Sequence, residues 1–162
     1  MDTPAGDIFH QAVRFLAASE LLETVIVSLM ENEKTFGQLS IVCVVNLSFA
    51  CELFLKSLIK NKKVNRFHNT HDLKVLFEAL EDDLKRDIKS RVTSNRRPED
   101  FNFDESLQKS SKTFESWRYL YENPIGKEGR IDFLKELSKV IEQKLLEEHP
   151  DWQTPFRETF KI

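Results

Sequence analysis

From Phe36 to Cys51 the chain carries no charged residue, and apolar side chains fall on nearly every face of a helix built on that segment. A helix of this kind has to be enclosed by others. The segment is short of the roughly 20 residues that a bilayer span requires, and charged Glu52 and Lys56 follow directly, so it reads as the buried central helix of a bundle. With only four glycines and five prolines, and weak sheet signals throughout, the remainder is expected to be helices joined by short connections. The expected fold is all-α, an up-and-down helical bundle of about five to six helices. A chain of 162 residues suits one domain that buries about two thirds of its unfolded surface without disulfides or metal. Residues 1–149 are assigned to it, and 150–162 to a tail whose Trp152, Phe156 and Phe160 are placed to dock on the body or on a second copy.

Spacing of three and four residues predicts the individual helices. The first, about 7–32, carries Phe9, Val13, Leu16 and Ala17 on one face, followed by Leu21, Val25 and Leu29. The central helix, about 37–60, presents Leu39, Val42, Cys43, Asn46, Phe49, Ala50, Leu53, Ser57 and Leu58. Asn69 or Thr70 is expected to cap a third helix, with Asp72 at its positive end and Leu73, Leu76, Phe77 and Leu80 facing inward. A fourth, about 82–92, continues with Leu84 and Ile88, and 93–102, which contains Pro98, is expected to be a loop. One helix is predicted over about 104–122, and a last one over about 129–148 buries Phe133, Leu134, Leu137, Ile141 and Leu145.

The 104–122 segment contains an anomaly. Its inward line runs Leu107, Ser111, Phe114, Arg118, Tyr121, which sets a guanidinium where an apolar side chain belongs. Leaving such a charge buried and unpaired costs about 3–5 kcal/mol, so the fold needs a carboxylate nearby. Glu52, near the end of the central helix, is one candidate; Glu115 and Glu122, three and four residues from Arg118, offer pairing within its own helix. Lys56 stands one turn beyond Glu52 and can pair with it along the helix.

A formal charge of -3 gives no general attraction to nucleic acid or to an acidic membrane surface, so neither DNA nor a membrane is an expected partner, and any RNA contact has to be local. Lys60, Lys62, Lys63 and Arg66, with Arg96 and Arg97, could track a phosphate backbone if they converge; otherwise they are solvated loop charge. Cys43 and Cys51 lie about 12 Å apart along one helix, too far to bridge, and read as small buried hydrophobes of a reducing compartment. The first ten residues include Asp2 and Asp7 and lack the basic start and apolar run of a secretory signal, which points to the cytoplasm.

Three segments carry a family resemblance: Ala50-Cys51-Glu52-Leu53-Phe54-Leu55-Lys56-Ser57-Leu58, His71-Asp72-Leu73-Lys74-Val75-Leu76-Phe77, and Phe114-Glu115-Ser116-Trp117-Arg118-Tyr119-Leu120-Tyr121-Glu122. In this order, over roughly 37–145, the chain resembles a group of bacterial HEPN-type helical proteins. The resemblance implies a bundle of about four to five helices, often dimeric, found in toxin-antitoxin modules, phage defence systems and companions of nucleotidyltransferases. Many members of that group are metal-independent ribonucleases, with an arginine followed about four to six residues later by a histidine in a late helix. Here the late helix offers Arg118 with no histidine near it, which departs from the pattern.

The only match to that spacing is Arg66 with His71, in the connection after the central helix. A neutral imidazole there could take the proton from a ribose 2'-hydroxyl while the guanidinium steadies charge on the phosphate. His71 also has a structural reading, in which its ring bonds a carboxylate such as Glu52 and anchors the third helix. His68, His71 and Asp72 lack a fourth donor, so no metal is assigned, and the chain shows no glycine-rich phosphate cradle or paired-cysteine zinc pattern, so no cofactor is either.

The leading expectation is a non-catalytic or catalytically altered HEPN-like module, a homodimer recognising RNA, a nucleotide or a cognate protein. Its polar pocket would consist of Glu52, Lys56, His71 and Arg118, bordered by Trp117, Tyr119 and Glu122, where an aromatic beside arginine can stack a base. The alternatives are a metal-independent endoribonuclease acting through Arg66 and His71, and a purely structural dimer module working through its dimer face and aromatic tail.

Overall fold

The structure, a computed structural model, describes residues 4–28, 33–62, 70–94, 101–118 and 131–153, with side chains at all of these except 33–38, 115, 117 and 118. Among the described residues there are seven α-helices and no strand: α1 Ala5–Ser28, α2 Glu33–Asn61, α3 Leu73–Glu78, α4 Asp82–Thr93, α5 Phe103–Ser110, α6 Thr113–Arg118 and α7 Ile131–Glu148, followed by a 3-10 turn over Pro150–Trp152. The protein is an all-α bundle.

Contacts between elements give their directions. Ser57 donates to the Ala5 carbonyl at 2.9 Å, Phe9 meets Phe54, Phe15 meets Phe49, and Ser19 bonds the Cys43 carbonyl at 3.3 Å, so α1 and α2 form an antiparallel hairpin. Cys51 reaches Leu134 and Ser138, and Asn61 reaches Glu148, so α7 runs parallel to α2. Asp87 pairs with Lys144 and Arg91 with Glu147, which aligns α4 with α7. The short helices α3, α5 and α6 lie between these long elements in the chain.

As its composition requires, α2 is central, packing on α1, α3, α6 and α7. Leu47, Ala50, Cys51, Phe54, Leu55, Leu58 and Ile59 are fully buried in one core shared with every other helix except α6. By length and composition the stretch Leu39–Asn61 is also long and apolar enough to cross a membrane, a property that the uncharged stretch alone did not show. Half of it is buried inside the bundle, and its acidic residue Glu52 is paired there, as the core helix of a packed domain requires.

The inward faces expected for α3, α4 and α7 are all buried, with Val92 added on α4. On α1 the expectation fails after Ala17: Leu21 and Val25 are exposed, while Ser19 and Ile26 turn inward. Five residues from Leu16 to Leu21 rotate the helix about 140° beyond a full turn, which carries that leucine off the core face. Val42 on α2 is likewise exposed, and Leu29 lies outside the described residues.

Two other expectations are corrected. The cap of α3 is Asp72 rather than Asn69 or Thr70: its carboxylate accepts from the backbone N–H of Lys74 and Val75, while the Thr70 hydroxyl accepts from the N–H of Asp72 itself. Replacing Asp72 with alanine is expected to lower stability by about 1 kcal/mol, read from the urea midpoint. The 104–122 helix is broken into α5 and α6 by a turn at Ser111 and Lys112. There the Ser111 carbonyl accepts the Leu73 N–H at 2.8 Å, and the Ser111 N–H closes a tight bond to Gln108 at 3.3 Å, so a contact from α3 replaces the helical continuation.

Both cysteines are free and buried, as the sequence implied. Burial pushes the Cys51 thiol from its ordinary 9.0 up to about 12, while the hydrogen bond to Ser138, 2.8 Å away, acts in the opposite direction. The unfolded chain therefore releases this proton at lower pH than the native protein does. Its contribution is intact below pH 9.0 and is lost as pH rises toward about 12, with a slope of up to about 1.4 kcal/mol per pH unit. Alkaline unfolding of the wild type and of Cys51→Ala should diverge across that window.

Candidate functional site

Three side chains converge where α3 meets α2. Glu52 and Lys56 occupy successive turns of α2, and His71 immediately precedes the cap of α3, so the same Asp72 turn that starts the helix fixes its ring. The Glu52 carboxylate is almost completely buried, at 1% exposure. Lys56 Nζ donates to its Oε1 at 2.7 Å, and His71 Nδ1 lies 2.9 Å from Oε2 and 3.0 Å from Oε1. Carboxylate oxygens can only accept, so Nδ1 carries the proton and donates. One buried negative charge is thereby answered by one ammonium and one ring N–H.

An aromatic row backs the cluster. Phe15 meets Phe49 edge-on with centroids 4.7 Å apart, Phe49 stacks on Phe114 at 4.7 Å, and Phe114 lies 5.3 Å from the His71 ring. The apolar wall strengthens the electrostatic contacts by excluding water from one side. The opposite side is open, since 40% of the His71 side chain is exposed. No hydrogen bond to His71 Nε2 is present among the described residues. In a neutral ring that nitrogen holds a lone pair, so the site offers one oriented acceptor at the surface, with a mostly buried ammonium attached to the same carboxylate.

The sequence reading placed Glu52, Lys56 and His71 together, and the structure brings them into direct contact. It placed Phe49 on the central helix and Phe114 on an inward line, but gave neither a supporting role at the site. Phe49 stands three residues before Glu52, a spacing that puts both near one face of α2, and that was the available signal. Thr113, the first residue of α6, is also buried there in sequence beside Phe114, and its hydroxyl has no hydrogen-bond partner among the described residues.

Arg118 closes α6 one turn beyond Phe114, and its side chain, like that of Trp117 and Glu115, lies outside the described residues. Arg66, His68, Tyr119 and Glu122 also lie outside them, as do Lys63, Arg96 and Arg97 of the proposed phosphate track. Lys62 of that track is held by both oxygens of Glu148 at 2.8 Å and serves the junction of α2 with α7. Among the described residues no group of three His, Cys, Asp or Glu side chains is placed to hold a metal ion.

No protein-family model matches this chain, and no match is found among the curated proteins or the solved structures.

Proposed function

We propose that this chain is a non-catalytic HEPN-like module that recognises RNA or a nucleotide through the Glu52, Lys56 and His71 cluster, acting as a homodimer in the cytoplasm within a bacterial defence or toxin-antitoxin system. The observation that carries this reading is the orientation of His71: its Nδ1–H is held by a buried carboxylate, which leaves Nε2 as a fixed acceptor for a ribose hydroxyl or a base amine. Arg118 would hold an anionic group of the same ligand, with Trp117, Tyr119 and Glu122 on the border. The biological setting comes from the resemblance of the three motifs to that group.

The test is equilibrium binding of labelled mixed-sequence RNA, and of nucleotides, to the wild type and to His71→Gln. Glutamine can keep an N–H for Glu52 and replaces the rigidly oriented ring acceptor with a flexible amide. About tenfold weaker binding, equivalent to 1.4 kcal/mol, is expected with the fold intact. Equal affinity of the two proteins would exclude His71 from recognition.

The endoribonuclease reading has one observation in its favour: an imidazole held at Nδ1 by a carboxylate is also the arrangement of a general base acting through Nε2. Cleavage of RNA in EDTA that is lost in both Arg66→Ala and His71→Ala would replace the binding reading with this one.

A further inference from the structure

The N-terminal turns of α1 and one side chain of α2 frame a groove of about 460 Å³ that the polar cluster does not use, lined by Asp7, Ile8, His10, Gln11 and Arg14 and by Leu53 of α2. Its volume falls in the range of small-molecule sites. The helix beneath it is firmly seated, because Trp152 packs on the neighbouring face, 5.4 Å from Phe9 by ring centroids and so close that a Cβ on Gly6 would stand 3.3 Å from its ring. Phe156 and Phe160, also assigned to the tail, lie outside the described residues.

Asp7 and Arg14 stand seven residues apart, which on a helix is two turns, about 10.5 Å, and nearly one face. Opposite charges at that spacing do not meet each other, and among the described residues neither has an ion-pair partner. Arg14 Nη1 donates to Gln11 Oε1 at 3.2 Å, so the guanidinium leans back to the level of Gln11, roughly 6 Å along the axis from Asp7. Ile8 and Leu53, both partly buried, lay an apolar floor beside these two charges.

We propose that this groove binds a dipeptide with free ends, its ammonium on Asp7, its carboxylate on Arg14 and an apolar side chain on Ile8 and Leu53. Length selects the class: two extended residues span about 7 Å, whereas a free amino acid spans about half of that and reaches only one of the two charges. Charge selects it as well, since a ligand of a single sign leaves either the carboxylate or the guanidinium unanswered. Between the two ends, the peptide group of the ligand faces the Gln11 amide and the ring of His10, whose buried Nδ1 has no hydrogen-bond partner among the described residues. Leu53 follows Glu52 directly, so the groove and the polar cluster share one turn of α2 while opening toward different helices.

Titration of the ¹⁵N-labelled full chain with leucyl-leucine, followed at the backbone amides of residues 7–14 and of Leu53, tests the proposal. Saturable shifts at those amides are expected, with a dissociation constant on the order of 1 mM. N-acetyl-leucyl-leucine, leucyl-leucine amide and free leucine should each bind several-fold more weakly. Asp7→Asn is expected to abolish the effect of acetylation alone, and Arg14→Gln the effect of amidation alone; both positions are exposed, so neither variant disturbs the core. Absence of saturable shifts at these amides would overturn the proposal. Equal binding of the capped peptides, or capping effects that persist unchanged in the two variants, would overturn it too.

Discussion

Replacing Glu52 with alanine is expected to destabilise the protein by about 3–5 kcal/mol, the largest effect of any single polar substitution among the described residues. The side chain is 1% exposed and holds two partners, so its removal leaves the Lys56 ammonium in a place only 13% exposed and strands the Nδ1–H of His71. Glu52→Gln retains an acceptor and is expected to lose less, about 1–3 kcal/mol, as is His71→Ala, which leaves Lys56 to answer the carboxylate. Urea midpoints give these values. The double replacement Glu52→Leu with Lys56→Met adds a discriminating result: buried ion pairs often give way to apolar side chains at little net cost, so this variant should recover most of the stability. Stability and RNA affinity then separate, because a cluster kept only for architecture loses nothing further, whereas a recognition site loses binding although the fold is restored.

Phe54→Ala is expected to cost about 3–5 kcal/mol, which for a domain of this size lowers the melting temperature by roughly 6–20 °C. Phe54 is fully buried, meets Phe9 with ring centroids 5.8 Å apart, and sits on the helix around which the others pack. Its removal withdraws apolar contact from α1 and opens a cavity that the surrounding helices can close only in part. Val42→Ala on the same helix is the internal comparison. With 48% of its surface exposed, its truncation should stay within about 0.5 kcal/mol. Comparable losses at the two positions would mean that α2 is not oriented as described.

These contrasts show which features the sequence carries. Helix faces were legible wherever a strong apolar stripe repeats over several turns, as in Phe133, Leu134, Leu137, Ile141 and Leu145 of α7, because burial and period coincide there. The stripe of α1 was misread because Leu21 and Val25 are apolar but rotated off the core face, and composition cannot distinguish a core leucine from an exposed one. The break between α5 and α6 was illegible for a different reason. The weak helix formers Ser110, Ser111 and Thr113 permit a break there, but its place is set by the Leu73 N–H reaching the Ser111 carbonyl, a hydrogen bond between residues far apart in the chain.

At the candidate site, the contact of His71 with Glu52 was legible because a charged residue at the margin of the most apolar helix has to find a donor, and His71 opens the next helix. The aromatic support was not, since Phe49 and Phe114 look in sequence like ordinary core positions. The carboxylate proposed as a partner for Arg118 is engaged by Lys56 and His71, and the side chain of Arg118 itself lies outside the described residues.

The most direct test of the central claim is long-range ¹H–¹⁵N NMR of the His71 ring nitrogens during titration with mixed-sequence RNA, with His71→Gln fixing the assignment. The expected result is a protonated Nδ1, an unprotonated Nε2 in the free protein, and an Nε2 resonance that moves as RNA is added. A ring protonated at Nε2 instead, or nitrogen resonances that stay unmoved at the highest RNA concentration, would contradict the claim that His71 is an oriented acceptor for a nucleic-acid ligand.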